Sequence, residues 1–174
     1  MFYAVYLHKN ITMRKALYLI SFSLCLFIST KIKAQDYSTA VGLKFGGYEN
    51  GISAKHFVQP NTALEGILGF RRGGVVITGL YEIHQPAFNV DKFKFYYGFG
   101  AHIGAIGKGR YRRFGADDEI YTKDQIMIGA DGVLGLEYII PESPIGISLD
   151  LNPRVELNGP FFDLAPGLGL KYTF

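Results

Sequence analysis

The sequence predicts an all-β chain whose eight antiparallel strands close into an up-and-down barrel. Three observations lead there. Apolar residues recur at every second position in eight segments, and no stretch carries a helical period. Clusters of Gly, Pro, Asn and Asp separate the segments. Gly (22 residues) and aromatics (15%) are abundant among 174 residues, which suits sheets with closely approaching backbones.

The first 34 residues stand apart. They hold Lys9, Arg14, Lys15, Lys31 and Lys33 and no acid, leaving 13 Lys and Arg against 15 Asp and Glu in the rest. The net charge of +3 therefore belongs to this leader, and no nucleic-acid partner is expected. From Met13 the chain reads as charged residues, an apolar run from Ala16 to Ile28, and Ala34 at a cleavage position before Gln35. That run is within signal-peptide range, whereas a spanning helix needs about 20 apolar residues. The expected organisation is a leader over 1–34, with the signal peptide at 13–34 and Met13 as its start, then one domain over 35–174. Cys25 follows Leu24 rather than a small residue and lies inside the apolar run, so it is expected to leave with the signal. The mature chain then has no disulfide.

Segment one, 37–45, sets Tyr37, Thr39, Val41, Leu43 and Phe45 against Ser38, Ala40, Gly42 and Lys44; G-G-Y-E-N-G is read as the turn after it. Segment two, 52–58, sets Ile52, Ala54, His56 and Val58 against Ser53, Lys55 and Phe57, and ends at Q-P-N-T. Segment three, 62–72, opposes Leu64, Gly66, Leu68 and Phe70 to Glu65, Ile67, Gly69 and Arg71. After R-R-G-G, segment four opposes Val75, Ile77, Gly79, Tyr81 and Ile83 to Val76, Thr78, Leu80, Glu82 and His84. Q-P-A-F-N-V-D is read as the next turn. Segment five opposes Phe93, Phe95, Tyr97, Phe99, Ala101 and Ile103 to Lys94, Tyr96, Gly98, Gly100, His102 and Gly104.

Residues 107–125 form the one long polar loop. Segment six then sets Ile126, Ile128, Ala130, Leu134, Leu136, Tyr138 and Ile140 against Gly129, Asp131, Gly135 and Glu137. Segment seven, the most regular, sets Ile145, Ile147, Leu149, Leu151, Pro153, Val155 and Leu157 against Gly146, Ser148, Asp150, Asn152, Arg154 and Glu156. After N-G-P-F-F-D the last segment puts Leu164, Pro166, Leu168, Leu170, Tyr172 and Phe174 on one face. Ala165, Gly167, Gly169, Lys171 and Thr173 take the other.

One face of every strand is thus bulky and apolar, and the other is small or charged. The charged face carries six cations, Lys44, Lys55, Arg71, Lys94, Arg154 and Lys171, and six anions, Glu65, Glu82, Asp131, Glu137, Asp150 and Glu156. His84 and His102 join them. Eight strands leave a lumen just wide enough for side chains, so the small-and-polar set fits inside and the bulky set must face out. Apolar-out and polar-in is the arrangement a bilayer demands. With an even strand count both termini share one side. Tyr37, Tyr81, Phe93, Phe95, Tyr138, Tyr172 and Phe174 then fall at that rim, and Phe45, Phe70 and Phe161 or Phe162 at the opposite one.

On this pattern the chain resembles the small eight-stranded outer-membrane β-barrel proteins of Gram-negative bacteria, the OmpA-barrel and OmpX-like group. The resemblance covers the mature chain as a pattern and the last strand as a motif, polar-x-Gly-x-x-aromatic-x-aromatic. Gly169, Tyr172 and Phe174 match it, while Gly167 stands where a polar residue is usual. The resemblance implies that these three form a signal for the barrel-assembly machinery. It also implies residence in the outer membrane among lipids and lipopolysaccharide, as a monomer, in a structural or surface-interaction role.

The competing functions are a narrow conduit for small solutes, a lipid-modifying enzyme and a soluble ligand-binding barrel. The enzyme reading needs a lipid-facing His and Ser, as in some outer-membrane lipid A hydrolases. His56 faces outward, but Ser53 lies on the opposite parity, so no catalytic residues are assigned. No metal or P-loop spacing occurs, and neither metal nor cofactor is expected. In the long loop, Lys108, Arg110, Arg112 and Arg113 are candidates for gripping lipopolysaccharide phosphates. Asp117, Asp118 and Glu119 follow and could instead neutralise them.

Overall fold

The computed structural model describes residues 37–111, 117–158 and 162–174. The leader with its cleavage position, Cys25, Arg112, Arg113 and Phe161 lie outside them. Eight strands, β1 (Thr39–Gly46), β2 (Glu49–Gln59), β3 (Thr62–Arg71), β4 (Gly74–Ala87), β5 (Val90–Ile106), β8 (Gln125–Ile139), β9 (Ile145–Glu156) and β10 (Phe162–Thr173), form a closed barrel. All neighbours run antiparallel, and β1 closes the sheet against β10 from Ala40↔Thr173 to Gly46↔Gly167. Closure leaves no free sheet edge. Both ends of the described chain emerge at one end of the barrel, the near end. The opposite, far end carries the loop between β5 and β8.

The alternation sets which side chains face where. Outward positions expose Leu43, Leu68, Ile77, Phe99, Ile103, Leu134, Leu149 and Leu170, with Phe99 68% and Leu149 60% exposed. Inward positions bury Lys55, Glu65, Glu82, Glu137, Asp150, Arg154 and Lys171 at 5% exposure or less. A soluble barrel has the reverse arrangement. Glycines on the inward parity let strands bend around so small a lumen. A Cβ on Gly98 or Gly100 would run into the carbonyl oxygens of Tyr81 and Gly79 across the β4–β5 ladder.

Five expectations need correction. Glu49 and Asn50 belong to β2 rather than to a turn, because Gly47 and Tyr48 alone reverse the chain. Tyr37, expected at the near rim, is buried inside, because the chain before β1 is free of the strand pleat. The turn expected over Q-P-A-F-N-V-D shrinks to Phe88 and Asn89, both with φ near +55° (56° and 54°). Pro86 sits in β4 beside a register shift, where a missing N–H is tolerated. The long loop contains a short hairpin, β6 (Gly109–Tyr111) paired with β7 (Glu119–Tyr121).

Candidate functional site

The lumen is filled by two ionic clusters with an apolar cluster from four neighbouring strands. Near the termini, the Nζ of Lys55 lies 2.7 Å from Glu82, 3.3 Å from Glu65 and 3.4 Å from Glu137. Lys171 adds a second cation 2.7 Å from Glu65. The Tyr37 hydroxyl donates to Glu137 at 2.5 Å, and His84 Nε2 lies 3.0 Å from Glu82. His84 stacks on the Tyr96 ring at 4.9 Å, and Lys55 sits 4.3 Å over the same ring. Each buried charge therefore meets an opposite charge, which burial in a low-dielectric lumen requires.

Ile67, Leu80, Tyr96 and Val133, from β3, β4, β5 and β8, pack together inside the barrel. The Tyr96 hydroxyl donates to Asp150 at 2.9 Å, and Lys44 pairs with the same carboxylate at 2.9 Å and donates to Asn152 at 3.0 Å. These side chains cross the lumen and fill its waist.

The far cluster is built on Arg154, which clamps Glu49 with both terminal nitrogens at 2.8 and 3.0 Å. Its Nε lies 2.9 Å from Asp131. Arg71 Nε donates to Glu49 at 2.6 Å. His102 bridges Asp131 and Glu156, with Nδ1 2.7 Å from the first and Nε2 3.1 Å from the second. A sequence-level count of interior charge missed Glu49 and also Asp163, which accepts from the Tyr48 hydroxyl at 2.7 Å. With them six Lys and Arg face eight carboxylates among the described residues.

Lys94 is half-buried, with its Nζ 5.5 Å from the Phe57 ring. The remaining residues expected inside, Lys44, Lys55, Glu65, Arg71, Glu82, His84, His102, Asp131, Glu137, Asp150, Arg154, Glu156 and Lys171, all join the two clusters or the waist. His56 faces outward, its Nδ1 2.9 Å from Thr39 Oγ1. Ser53 is buried inside, so the two form no catalytic pair.

On the outer hairpin, Arg110 Nε donates to Asp118 at 2.9 Å, and the Lys108 backbone N–H donates to Asp124 at 3.0 Å. The Arg110 side chain remains 73% exposed. In β10, Gly169 faces inward beside Ser148, while Tyr172 and, just past the strand, Phe174 face outward with ring centroids 5.0 Å apart. Phe93 and Tyr138 pair likewise at 5.9 Å.

No family model matches the chain, and comparison with curated proteins gives no match. Among solved structures, the N-terminal β-barrel domain of OprF from Pseudomonas aeruginosa has a similar fold. Its TM-score is 0.58 at 18% identity, over 78% of this chain and 95% of that one. The shared property is the fold, a β-barrel.

Proposed function

We propose that the protein is an integral outer-membrane barrel with a structural role in the envelope, making surface contacts through its outer hairpin. The observation that carries this reading is the inversion of the barrel, with a belt of exposed Leu, Ile, Val and Phe around a lumen of paired charges. Strands of 8 to 17 residues suit a bilayer, which a tilted strand crosses in about 9–11. The filled waist favours a closed barrel over a solute conduit, and among the described residues His56 and Ser53 lie on opposite faces of the sheet. Expressed in a Gram-negative host, the protein is expected in the outer-membrane fraction, with different gel mobility before and after boiling. Reconstituted in planar bilayers it is expected not to conduct. Recovery as a soluble periplasmic protein would overturn the reading, and discrete conductance steps would favour the conduit.

The hairpin contact has its own support. Arg110 is exposed on the far end, and Lys108 precedes it on the same loop. Arg binds phosphate oxygens bidentately, and a lipopolysaccharide headgroup presents phosphates to such a rim. Changing Arg110, Arg112 and Arg113 together to Ala is expected to weaken lipopolysaccharide binding about a hundredfold, since each of three lost charge-assisted contacts contributes about 1 kcal/mol. Unchanged binding would restrict these residues to pairing with Asp118 and its neighbours.

A further inference from the structure

At the near end, the β4–β5 hairpin reaches past the strands on either side of it. β3 stops pairing with β4 at Thr62↔Ile83, and β8 stops pairing with β5 at Phe93↔Tyr138. Beyond those pairs β4 and β5 continue with each other to Ala87↔Val90 and reverse through Phe88 and Asn89. Phe88, at the tip, is 78% exposed, more than any other large apolar residue among those described.

Its backbone is as unusual as its exposure. A two-residue reversal with both φ positive matches the twist of a hairpin, and it takes Asn followed by Gly most readily. Phe88 occupies the first of these positions at φ 56°. There a Cβ crowds the backbone, and a bulky side chain is an outlier. Contact of the ring with water would add a second cost. An aromatic residue that is both strained and uncovered by its own chain points to a role outside the hairpin.

The ring also has a definite direction. Its centroid lies 5.5 Å from that of Phe93, edge to face, and Phe93 continues to Tyr138 at 5.9 Å. Phe93 shares the outward parity of the exposed Phe95 and Tyr97. The register shift at Pro86 and Ala87 bends the hairpin at its base, as a bulge does. Phe88 therefore lies over the outer face of the barrel and not over the lumen, in continuity with the aromatic rim. Gln85 and Asn89 around it are polar and exposed. One aromatic ring among polar groups falls far short of the roughly 1,000 Å² that a specific protein contact covers. It suits the boundary between lipid headgroups and acyl chains, which takes up an aromatic ring without a shaped partner.

We propose that Phe88 anchors the β4–β5 hairpin to the lipid leaflet at the near end, with its ring inserted at the headgroup boundary and its turn lying on the membrane surface. The partner is phospholipid, and the energy of ring insertion offsets the strained backbone at the tip. This anchoring rests on the outer-membrane residence proposed above and adds to it a lipid contact made beyond the paired strands.

The chain has no Trp, so a single Trp substitution reports its own surroundings. Phe88→Trp is refolded into phosphatidylcholine vesicles beside a reference, Phe99→Trp, from the outward face near the middle of β5. The folded gel band confirms both barrels. Acyl chains brominated next to the headgroup are expected to quench Phe88→Trp about twofold more than chains brominated at their ends, and the order is expected to reverse for Phe99→Trp. Iodide in the buffer is expected to quench Phe88→Trp several-fold less than free tryptophan. Strong iodide quenching of Phe88→Trp without any response to bromolipid, while Phe99→Trp responds, would overturn the anchor and leave the barrel in the membrane with its tip open to a soluble partner. No response of either variant to bromolipid would overturn the outer-membrane reading and the anchor with it. The unsubstituted protein in lipid nanodiscs gives an answer that does not depend on how Phe88→Trp folds. Cross-relaxation from acyl methylene protons to the Phe88 ring is expected there, and contact of the ring with water alone would overturn the anchor.

Discussion

Lys55→Met is expected to destabilise the barrel by about 3–5 kcal/mol, the cost of removing one partner from a buried ionic cluster. Lys55 is fully buried and, among the described residues, is the cation shared by Glu65, Glu82 and Glu137, at 3.3, 2.7 and 3.4 Å. Without it Lys171 remains on Glu65, and Glu82 and Glu137 lose their direct ammonium partner. The mutant methionine fills the space over Tyr96 but offers no charge, so the loss is electrostatic rather than a cavity. Lys44→Met is the control: that side chain is 12% exposed and answers a single carboxylate, Asp150, so a smaller loss is expected. Adding Glu82→Gln to Lys55→Met should restore part of the deficit, because it removes one of the charges left unpaired. The chain has no Trp, so urea unfolding is best followed by circular dichroism and by the folded gel band. A Lys55→Met midpoint equal to the wild type would show that the cluster is not held by its lysine.

The near cluster could be read from the sequence because its charged members all lie within strands, where parity is strict. One residue of slip would expose the whole charged set to the outside of the barrel, so register and burial fix each other. Glu65 and Lys55 are direct partners in the β2–β3 ladder, and Glu137 is reached across the lumen. The far cluster was less legible because its key anion sits at a strand end. Glu49 lies in G-G-Y-E-N-G, a turn by composition, and only the two-residue reversal brings it opposite Arg71. Charge counting gave no signal for it, since Arg71 and Arg154 on that half already faced two inward carboxylates, Asp131 and Glu156. Tyr37 illustrates the opposite failure. It keeps the odd-numbered parity of Val41 and Leu43, but lies before β1, and its hydroxyl reaches Glu137. The β6–β7 hairpin was invisible because three-residue strands are too short to show alternation.

Phe174→Ala is expected to lower the amount of folded barrel in cells about tenfold while leaving refolding of the purified chain in detergent nearly unchanged. Two properties of Phe174 must be separated to see why. Its backbone helps close the barrel: the N–H donates to Thr39 at 2.8 Å, and the carbonyl accepts from the Ser38 N–H at 2.9 Å. Its ring packs against Tyr172, and the residue is 49% exposed on the apolar face. Alanine keeps both backbone bonds and the strand parity, and removes only the ring. Lost burial of so exposed a ring costs the folded state about 1 kcal/mol at most. A large deficit confined to cells must then arise before folding, when the last strand is still extended and Gly169, Tyr172 and Phe174 present one Gly and two aromatics on it. That is the behaviour of a recognition signal for the assembly machinery and not of a packing residue. Lys171 offers the complementary case, since its ammonium is spent on Glu65 inside the barrel. Lys171→Met should impair refolding in detergent and in cells alike, because it acts on the folded state. If Phe174→Ala behaves like Lys171→Met in both settings, or like the wild type in cells, the signal reading fails and the ring is only part of the near rim.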